Sequence, residues 1–381
     1  MRAIVLTPQA TGADGVSALS RQVVAALAVT HHVEVWSLHD TLVPTLPRDV
    51  AFHGAGSSRV TFAARAMRET SVDTDTIVVA LHVHLLPVAL PLVQRGARLV
   101  AILLGIEAWK PLGVLERAAL RRAWKIAAIS RHTIDRFRDA NPACADRVVS
   151  VCHPGVPAAA VSPGIIRGAE PAEAGPHPYA LIVGRMSADE RYKGHDQLLE
   201  IWAEVMRAVA GARLLIVGGG DDVARLREKA GGLGLDGNIV FTGAVDDERL
   251  AALYREARVF AMPSRDEGFG LVYLEAMRAG RPCIAAYGAA EEVVVDGETG
   301  LIVDPEDKVG LRNAVVRLLS DDDLCARMGA AGAARVAECF SDRAFAARLC
   351  ALLEIPHPPS HIPAKSHPPP LSEVPTPVDA A

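Results

Sequence analysis

At 381 residues the chain is too long for one ordinary hydrophobic core, so two domains with a cleft between them are expected. Half of the residues are hydrophobic and only 4% are aromatic, a composition that suits Ala, Val, Leu and Ile packed between helices and a buried parallel sheet. The formal net charge of -5 excludes the overall basic footprint of a nucleic-acid-binding protein. The 6 cysteines fall at irregular spacings without a CxxC pair, which argues against a zinc site and a disulfide framework and fits a reducing cytoplasm.

The chain opens directly on an apolar strand from Arg2, with no charged leader and cleavage site, so no signal peptide is expected. A strand at 3–6 and a helix at 17–28 are followed by strands at 33–38, 77–81 and 99–104. The apolar runs are of strand length, far below the roughly 20 residues of a spanning helix. Their alternation with helical patterns is the grammar of βαβ units and predicts a parallel sheet covered on both faces. Residues 154–178 are rich in Pro, Ala and Gly without helical or alternating pattern and read as an interdomain linker.

The grammar then restarts. A strand at 180–183, a helix at 195–209, a strand at 213–217, a helix from Val223 and strands at 239–242 and 259–261 form a second series. Helices follow at 311–319, 322–336 and 344–353. The expected class is therefore α/β, with two Rossmann-like, doubly wound domains facing a cleft. Their expected bounds are 1–153 and 179–340, with a C-terminal helix at 341–355 that can return to the first domain. The Pro-rich stretch 356–381 lacks apolar periodicity and is expected to be disordered. Ligands of such sheets bind at the carboxyl ends of the strands, so chemistry is expected in the strand-to-helix loops.

The most informative of these loops runs from Pro263 to Met277 and reads PSRDEGFGLVYLEAM. Gly268 and Gly270 let backbone approach a ligand closely, and the amides of the helix that opens there can donate to hydroxyl or phosphate oxygens. Glu267 sits at the mouth of the turn. Glu275 follows eight residues later, a little over two helical turns, and is expected to reach a second part of one extended ligand. The alternatives are a solvated loop carboxylate and a helix-surface charge.

With Gly-Phe-Gly between its two glutamates, this string resembles family 4 of the glycosyltransferases, also called glycosyl transferases group 1. The resemblance covers most of the second domain, from about 179 to 336, and the first only weakly. It implies two Rossmann-like domains of GT-B type, a nucleoside diphosphate sugar as donor, no further cofactor and a retaining transfer. It also implies that Glu267 holds the donor sugar, that Glu275 holds the ribose diol, and that backbone at Gly268, Phe269, Gly270 and Leu271 lines the donor site.

After the first strand of the second domain stand Gly184-Arg185 and Lys193-Gly194, similar to the family's diphosphate clamp. Arg and Lys aimed at a departing diphosphate neutralise it without a metal, so Arg185 and Lys193 are the expected leaving-group stabilisers. The intervening Asp189-Glu190-Arg191-Tyr192 is assigned no role. Asp73-Thr74-Asp75 precedes a strand and reads as a solvated turn, and Asp321 to Asp323 reads as a helix start; no metal site is expected.

His82-Val83-His84 ends a first-domain strand, and His84 is the best match to a family histidine that contacts the donor sugar, with a packed or capping role as the alternative. Thr11-Gly12-Ala13-Asp14-Gly15 precedes a helix and can offer amides to a phosphate, which puts Gly15 among the donor-binding residues or in an ordinary turn. The family pairs glycines where this chain has Asp14-Gly15. Val217 to Asp221 resembles the family's strand-end glycine run, and Val245 is an expected contact to the nucleotide base. Glu107, in Gly105-Ile106-Glu107-Ala108-Trp109, either touches the acceptor or caps its loop.

Residues 110–138 hold eight basic side chains against two acidic ones, which suggests a helical face for an anionic membrane or acceptor, or merely a solvated face. The expected function is a retaining, metal-independent hexosyltransferase acting on a glycan, lipid-linked or small-molecule acceptor in polysaccharide or glycolipid synthesis. It is expected in the cytoplasm or on the inner face of the membrane. The rivals are a nucleotide-sugar epimerase or sugar phosphorylase on the same fold, and a non-catalytic nucleotide-sugar-binding partner.

Overall fold

The computed structural model describes residues 1–12, 14–156 and 178–356. Most of the expected linker (157–177) and nearly all of the expected tail (357–381) lie outside the described residues, as does Ala13.

The first half builds a seven-stranded sheet from β1 (Arg2–Thr7), β2 (His32–Ser37), β3 (Ala51–Gly54), β4 (Ile77–Ala80), β5 (Arg98–Leu103), β6 (Lys125–Ala128) and β7 (Ser150–Val151). Helices α1 (Gly15–Ala28), α2 (Arg59–Arg68), α3 (Leu86–Gln94), α4 (Val114–Arg122) and α5 (Arg131–Ala140) connect them. The strand order is β3-β2-β1-β4-β5-β6-β7 and every pairing is parallel. On β1, Ala3 and Val5 pack with Leu19, Val23 and Leu27 of α1, while Ile4 and Leu6 pack on the other face with Trp36, Phe62 and Leu86. A strand buried on both faces reads as a continuous apolar run because its alternating side chains meet helices on either side.

The second half contains β8 (Tyr179–Val183), β9 (Arg213–Val217), β10 (Ile239–Gly243), β11 (Val259–Met262), β12 (Cys283–Ala286) and β13 (Gly300–Val303). Its helices are α6 (His195–Ala208), α7 (Val223–Gly232), α8 (Asp247–Glu256), α9 (Leu271–Arg278), α10 (Lys308–Ser320), α11 (Asp322–Cys339) and α12 (Asp342–Leu353). The order β10-β9-β8-β11-β12-β13 reverses between β8 and β11, as the first sheet's order reverses between β1 and β4.

The sequence pattern passed over β3, α2, α3, β6, β7, α8 and β12. β3 carries His53 and is only partly buried, β6 begins with a Lys and spans four residues, and β7 is two residues long; none offers a long apolar run. The basic stretch 110–138 is also not one helical face. It is divided among α4, β6 and α5, and Lys125 on β6 pairs with Glu354 at 2.5 Å.

Several N-termini follow the capping rule. The side chains of Asp14, Ser130, Asp307, Asp321 and Ser341 accept from the first turns of α1, α5, α10, α11 and α12. Asp73 closes a turn, its carboxylate accepting from Asp75 N at 3.0 Å and Thr76 Oγ1 at 2.8 Å. Among the described residues no group of three His, Cys, Asp or Glu is placed to hold a metal, and no helix is long and apolar enough to cross a membrane.

The chain crosses back at its end. α12 packs on α1, Arg348 donates to the His153 carbonyl at 2.9 Å, and Val156 N donates to Phe340 O at 2.7 Å. Gln22 exchanges two hydrogen bonds with the Gly155 backbone, at 2.7 and 3.0 Å.

Candidate functional site

A doubly wound sheet leaves a crevice where its strand order reverses, because the loops on either side of that point run to opposite faces. In the second sheet the crevice lies between β8, which ends at Gly184-Arg185, and β11, which ends in the loop 263–270. Two of the sequence's strongest motifs therefore meet by topology. The Arg265 amide donates to Tyr192 O at 3.1 Å, tying the two loops together.

Lys193 closes a short 3-10 turn, Ala188–Lys193, and its side chain crosses over Gly184. A Cβ on that glycine would stand 3.4 Å from Lys193 Cδ and 3.8 Å from its Nζ. The Lys193 ammonium pairs with Glu190 Oε2 at 3.0 Å, and Arg185 pairs with the other oxygen of the same carboxylate. Glu267 lies close enough that Lys193 draws its pKa down, but burial dominates and holds that carboxyl above its ordinary value. Ser264 Oγ donates to Glu267 Oε1 at 3.2 Å. Lys193 is thus the cation shared by both acids, while Arg185 stands 73% exposed at the rim.

The eight-residue spacing of the glutamates does not represent two turns of helix. α9 begins only at Leu271, after Gly270 in left-handed backbone (φ 91), so Glu267 is a loop residue and Glu275 sits one turn into the helix. Glu275 Oε2 accepts from Tyr254 Oη at 2.9 Å, and burial raises the Glu275 carboxyl as well. Tyr254, on α8, carried no sequence signal for this contact. Val245 is half-buried in the loop between β10 and α8 and packs against the core.

The glycine run after β9 lies against the Gly184-Arg185 loop. Gly218 has φ 131, and a Cβ there would fall 2.0 Å from the Gly184 carbonyl oxygen. Only glycine lets this loop slide beneath Gly184-Arg185. Gly218→Ala is expected to lower the melting temperature by on the order of 5 °C; an unchanged melting curve would show that the contact is dispensable.

The first domain reaches the same crevice from the opposite side. A Cβ on Gly15 would stand 3.4 Å from Leu271 Cδ1, and one on Gly268 would meet the Leu104 carbonyl oxygen at 2.5 Å. Ser130 Oγ donates to the Gly268 carbonyl at 2.7 Å and Thr133 Oγ1 does so at 3.3 Å. Glu292, in the turn Ala289–Glu292 after β12, accepts from the amides of Arg131 and His132 at 2.9 Å each. It also pairs with His153 at 2.8 Å, and the His153 ring stacks on Phe269 with centroids 5.4 Å apart. These bridging residues escaped the sequence because their partners are more than a hundred positions away.

The loop before α1 differs from its expected role. Asp14 accepts from the amides of Val16 at 3.0 Å and Ser17 at 3.1 Å, so two helix-start donors expected to face a phosphate already have a carboxylate. Hydrogen bonds from the Ser17 amide and hydroxyl and from Gln9 hold the Asp14 pKa down against its burial. Asp40 shapes the same loop by accepting from the Ala10 amide at 2.6 Å.

His84 lies in the turn Val83–Leu85, is 67% exposed and faces Glu116 at 3.6 Å. Among the described residues none of its contacts reaches Glu267, Arg185 or Lys193. His82, beside it, caps that turn by accepting from His84 N at 3.2 Å, and burial pushes its pKa down to about 4. Glu107 caps its own loop, Oε1 accepting from Leu104 N at 2.7 Å and Gly105 N at 3.2 Å. Beyond it the Arg136 guanidinium covers the Trp109 ring at 4.9 Å and reaches Asp266 at 3.8 Å.

Comparison with known proteins matches residues 177–321 to the family model described as glycosyl transferases group 1. The GDP-mannose-dependent alpha-(1-6)-phosphatidylinositol monomannoside mannosyltransferase of Mycolicibacterium smegmatis is 36% identical over 288 residues, covering 70% of this chain and 74% of that protein. The D-inositol 3-phosphate glycosyltransferase of Corynebacterium efficiens is 36% identical over 200 residues, covering 50% of this chain and 46% of its own length. Among solved structures, sucrose-phosphate synthase from Thermosynechococcus elongatus shares the fold with a TM-score of 0.72 at 24% identity, over 93% of this chain and 98% of its own. HepE of Anabaena, in complex with UDP and glucose, gives 0.72 at 18% identity, over 93% and 99%. The shared architecture is the pair of Rossmann-like domains of the GT-B type.

Proposed function

Because the chain belongs to the glycosyl transferases group 1, we propose that it moves a hexose from a nucleoside diphosphate sugar to an acceptor hydroxyl, with retention and without a metal. The observation that carries this reading is the convergence of Arg185, Lys193 and Glu267 on one crevice.

In the proposed reaction Lys193 and Arg185 take up the negative charge that builds on the departing diphosphate. Glu267 grips hydroxyls of the transferred sugar. Glu275, one oxygen held by Tyr254, offers the other to the ribose diol. The amides that open α9 flank the phosphates, and Val245 lies toward the base. No side chain takes the role of general base; the departing phosphate oxygen accepts the acceptor's proton on the face where the sugar bond breaks.

The mycobacterial relative's name makes GDP-mannose the first donor to test. The names of both relatives point to an inositol-bearing, phosphorylated acceptor. His84, 67% exposed, is the first-domain side chain proposed to approach the donor sugar. Contact with an anionic membrane is proposed through α4, where Val114 and Leu115 are 72% and 58% exposed and Arg121 and Arg122 face solvent.

A panel of GDP- and UDP-sugars, with inositol-containing acceptors and with or without a chelator, tests the reading through nucleoside diphosphate release. Acceptor-dependent release, undiminished by chelator, is expected, and it should be faster when a lipid acceptor is presented in anionic rather than zwitterionic vesicles. Sugar rearrangement without acceptor would point to an epimerase, and binding without any release would point to a non-catalytic partner.

A further inference from the structure

We propose that Glu190 is a resident counter-anion of the diphosphate clamp, holding Arg185 and Lys193 until a nucleoside diphosphate competes for them. The inference rests on the function proposed above and assigns a role to a residue that the clamp motif leaves out.

One carboxylate divides its two oxygens between the two cations, Oε1 to Arg185 and Oε2 to Lys193, the latter at 3.0 Å. A bridging phosphate group would address the same pair of cations in the same manner, each oxygen to one positive centre. Glu190 therefore competes with the ligand for both contacts at once.

At Glu190 the backbone leaves helical geometry (φ -119, ψ 27). The residues around it are pinned elsewhere: Ala188 N donates to Asp221 Oδ1 at 3.0 Å, and the Arg191 guanidinium donates twice to Asp222, at 2.7 and 3.0 Å. The turn is held by its flanks, so the Glu190 side chain can withdraw without unravelling it.

Side chains of Lys193 and Glu190 are each only 16% exposed, where opposite charges attract more strongly than in open water. A half-buried ammonium needs an anion, and Glu190 supplies one that carries less charge than a diphosphate. The donor wins the exchange, but it must either displace Glu190 or bind beside a repelling carboxylate. Both penalties weaken retention of the spent nucleoside diphosphate, and Glu190 closing again on its cations favours product departure.

The test compares the full-length protein with Glu190→Gln by titration calorimetry, using GDP, UDP, guanosine and uridine. The variant should bind the nucleoside diphosphate used by the wild type roughly tenfold more tightly at low salt, while affinity for the corresponding nucleoside stays unchanged. In steady state the donor's KM should fall without a rise in kcat. A purely structural role would not separate diphosphate from nucleoside in this way. Equal or weaker diphosphate binding by a folded variant overturns the proposal. Glu190→Ala, which removes the carboxylate altogether, provides the same comparison if the Gln variant does not fold, and a lack of tightening there is equally fatal. If the wild type binds neither GDP nor UDP, the proposed function falls and this inference with it. If it binds one of them and the variants show no gain, only the role of Glu190 falls.

Discussion

Lys193→Ala is expected to lower turnover at saturating donor by at least roughly 10²-fold, the scale seen when one preorganised charge donor is removed from a transition state. Lys193 is the ammonium that both Glu190 and Glu267 face. Its alkyl chain is laid across Gly184, where no side chain stands in its way. Charge on a departing diphosphate is greatest as the sugar bond breaks, so the loss belongs in kcat more than in KM. Arg185 is more exposed and has more freedom to be replaced by water, so Arg185→Ala should cost less than Lys193→Ala. Single-turnover rates with the preferred donor measure both. Full activity in Lys193→Ala would remove the charge-stabilising role from this site.

Glu267→Gln is expected to be more stable than the wild type at neutral pH and at least roughly 10²-fold slower, an opposition that marks a functional acid. Burial raises the Glu267 carboxyl above its ordinary value, so the folded state holds that proton more tightly than the unfolded chain does. The associated stability is fully present below the usual carboxylate range and is lost as pH rises through the raised value. At neutral pH the wild type has lost it and the neutral Gln has not. The melting temperature should rise by roughly 2 °C, and the advantage should disappear in acid. Ser264 Oγ, which donates to the carboxylate at 3.2 Å, retains an acceptor in the Gln amide oxygen. Thermal melts across pH, set beside turnover, separate the two effects; a variant that loses activity and stability together would mean that Glu267 holds the loop and not the sugar.

Many residues of this candidate site stand out in the sequence because its motifs are local. A short apolar run ending in Gly184-Arg185, and another ending in the loop that carries Glu267, mark strand ends wherever the strands lie. What the pattern misjudged were matters of geometry. Glu267 and Glu275 look like one helical face, but Gly270 delays the helix and leaves the first acid in the loop. The loop before α1 looks open to phosphate, but Asp14 takes two of its amides. The basic run 110–138 looks like one surface, but a strand divides it.

By itself the amino-acid order determined the βαβ alternation, the two-domain α/β class and the identity of the clamp and sugar-binding candidates, because hydrophobic period, glycine placement and strand-end chemistry act over a few neighbouring residues. Only the tertiary structure decided which of these candidates share a crevice, that Glu190 stands between Arg185 and Lys193, and that Ser130, Thr133 and Glu292 join the first domain to the second. Those contacts depend on where the strand order reverses and on how two sheets face each other. Such distances are set by packing across the whole chain, and no short stretch of sequence contains them.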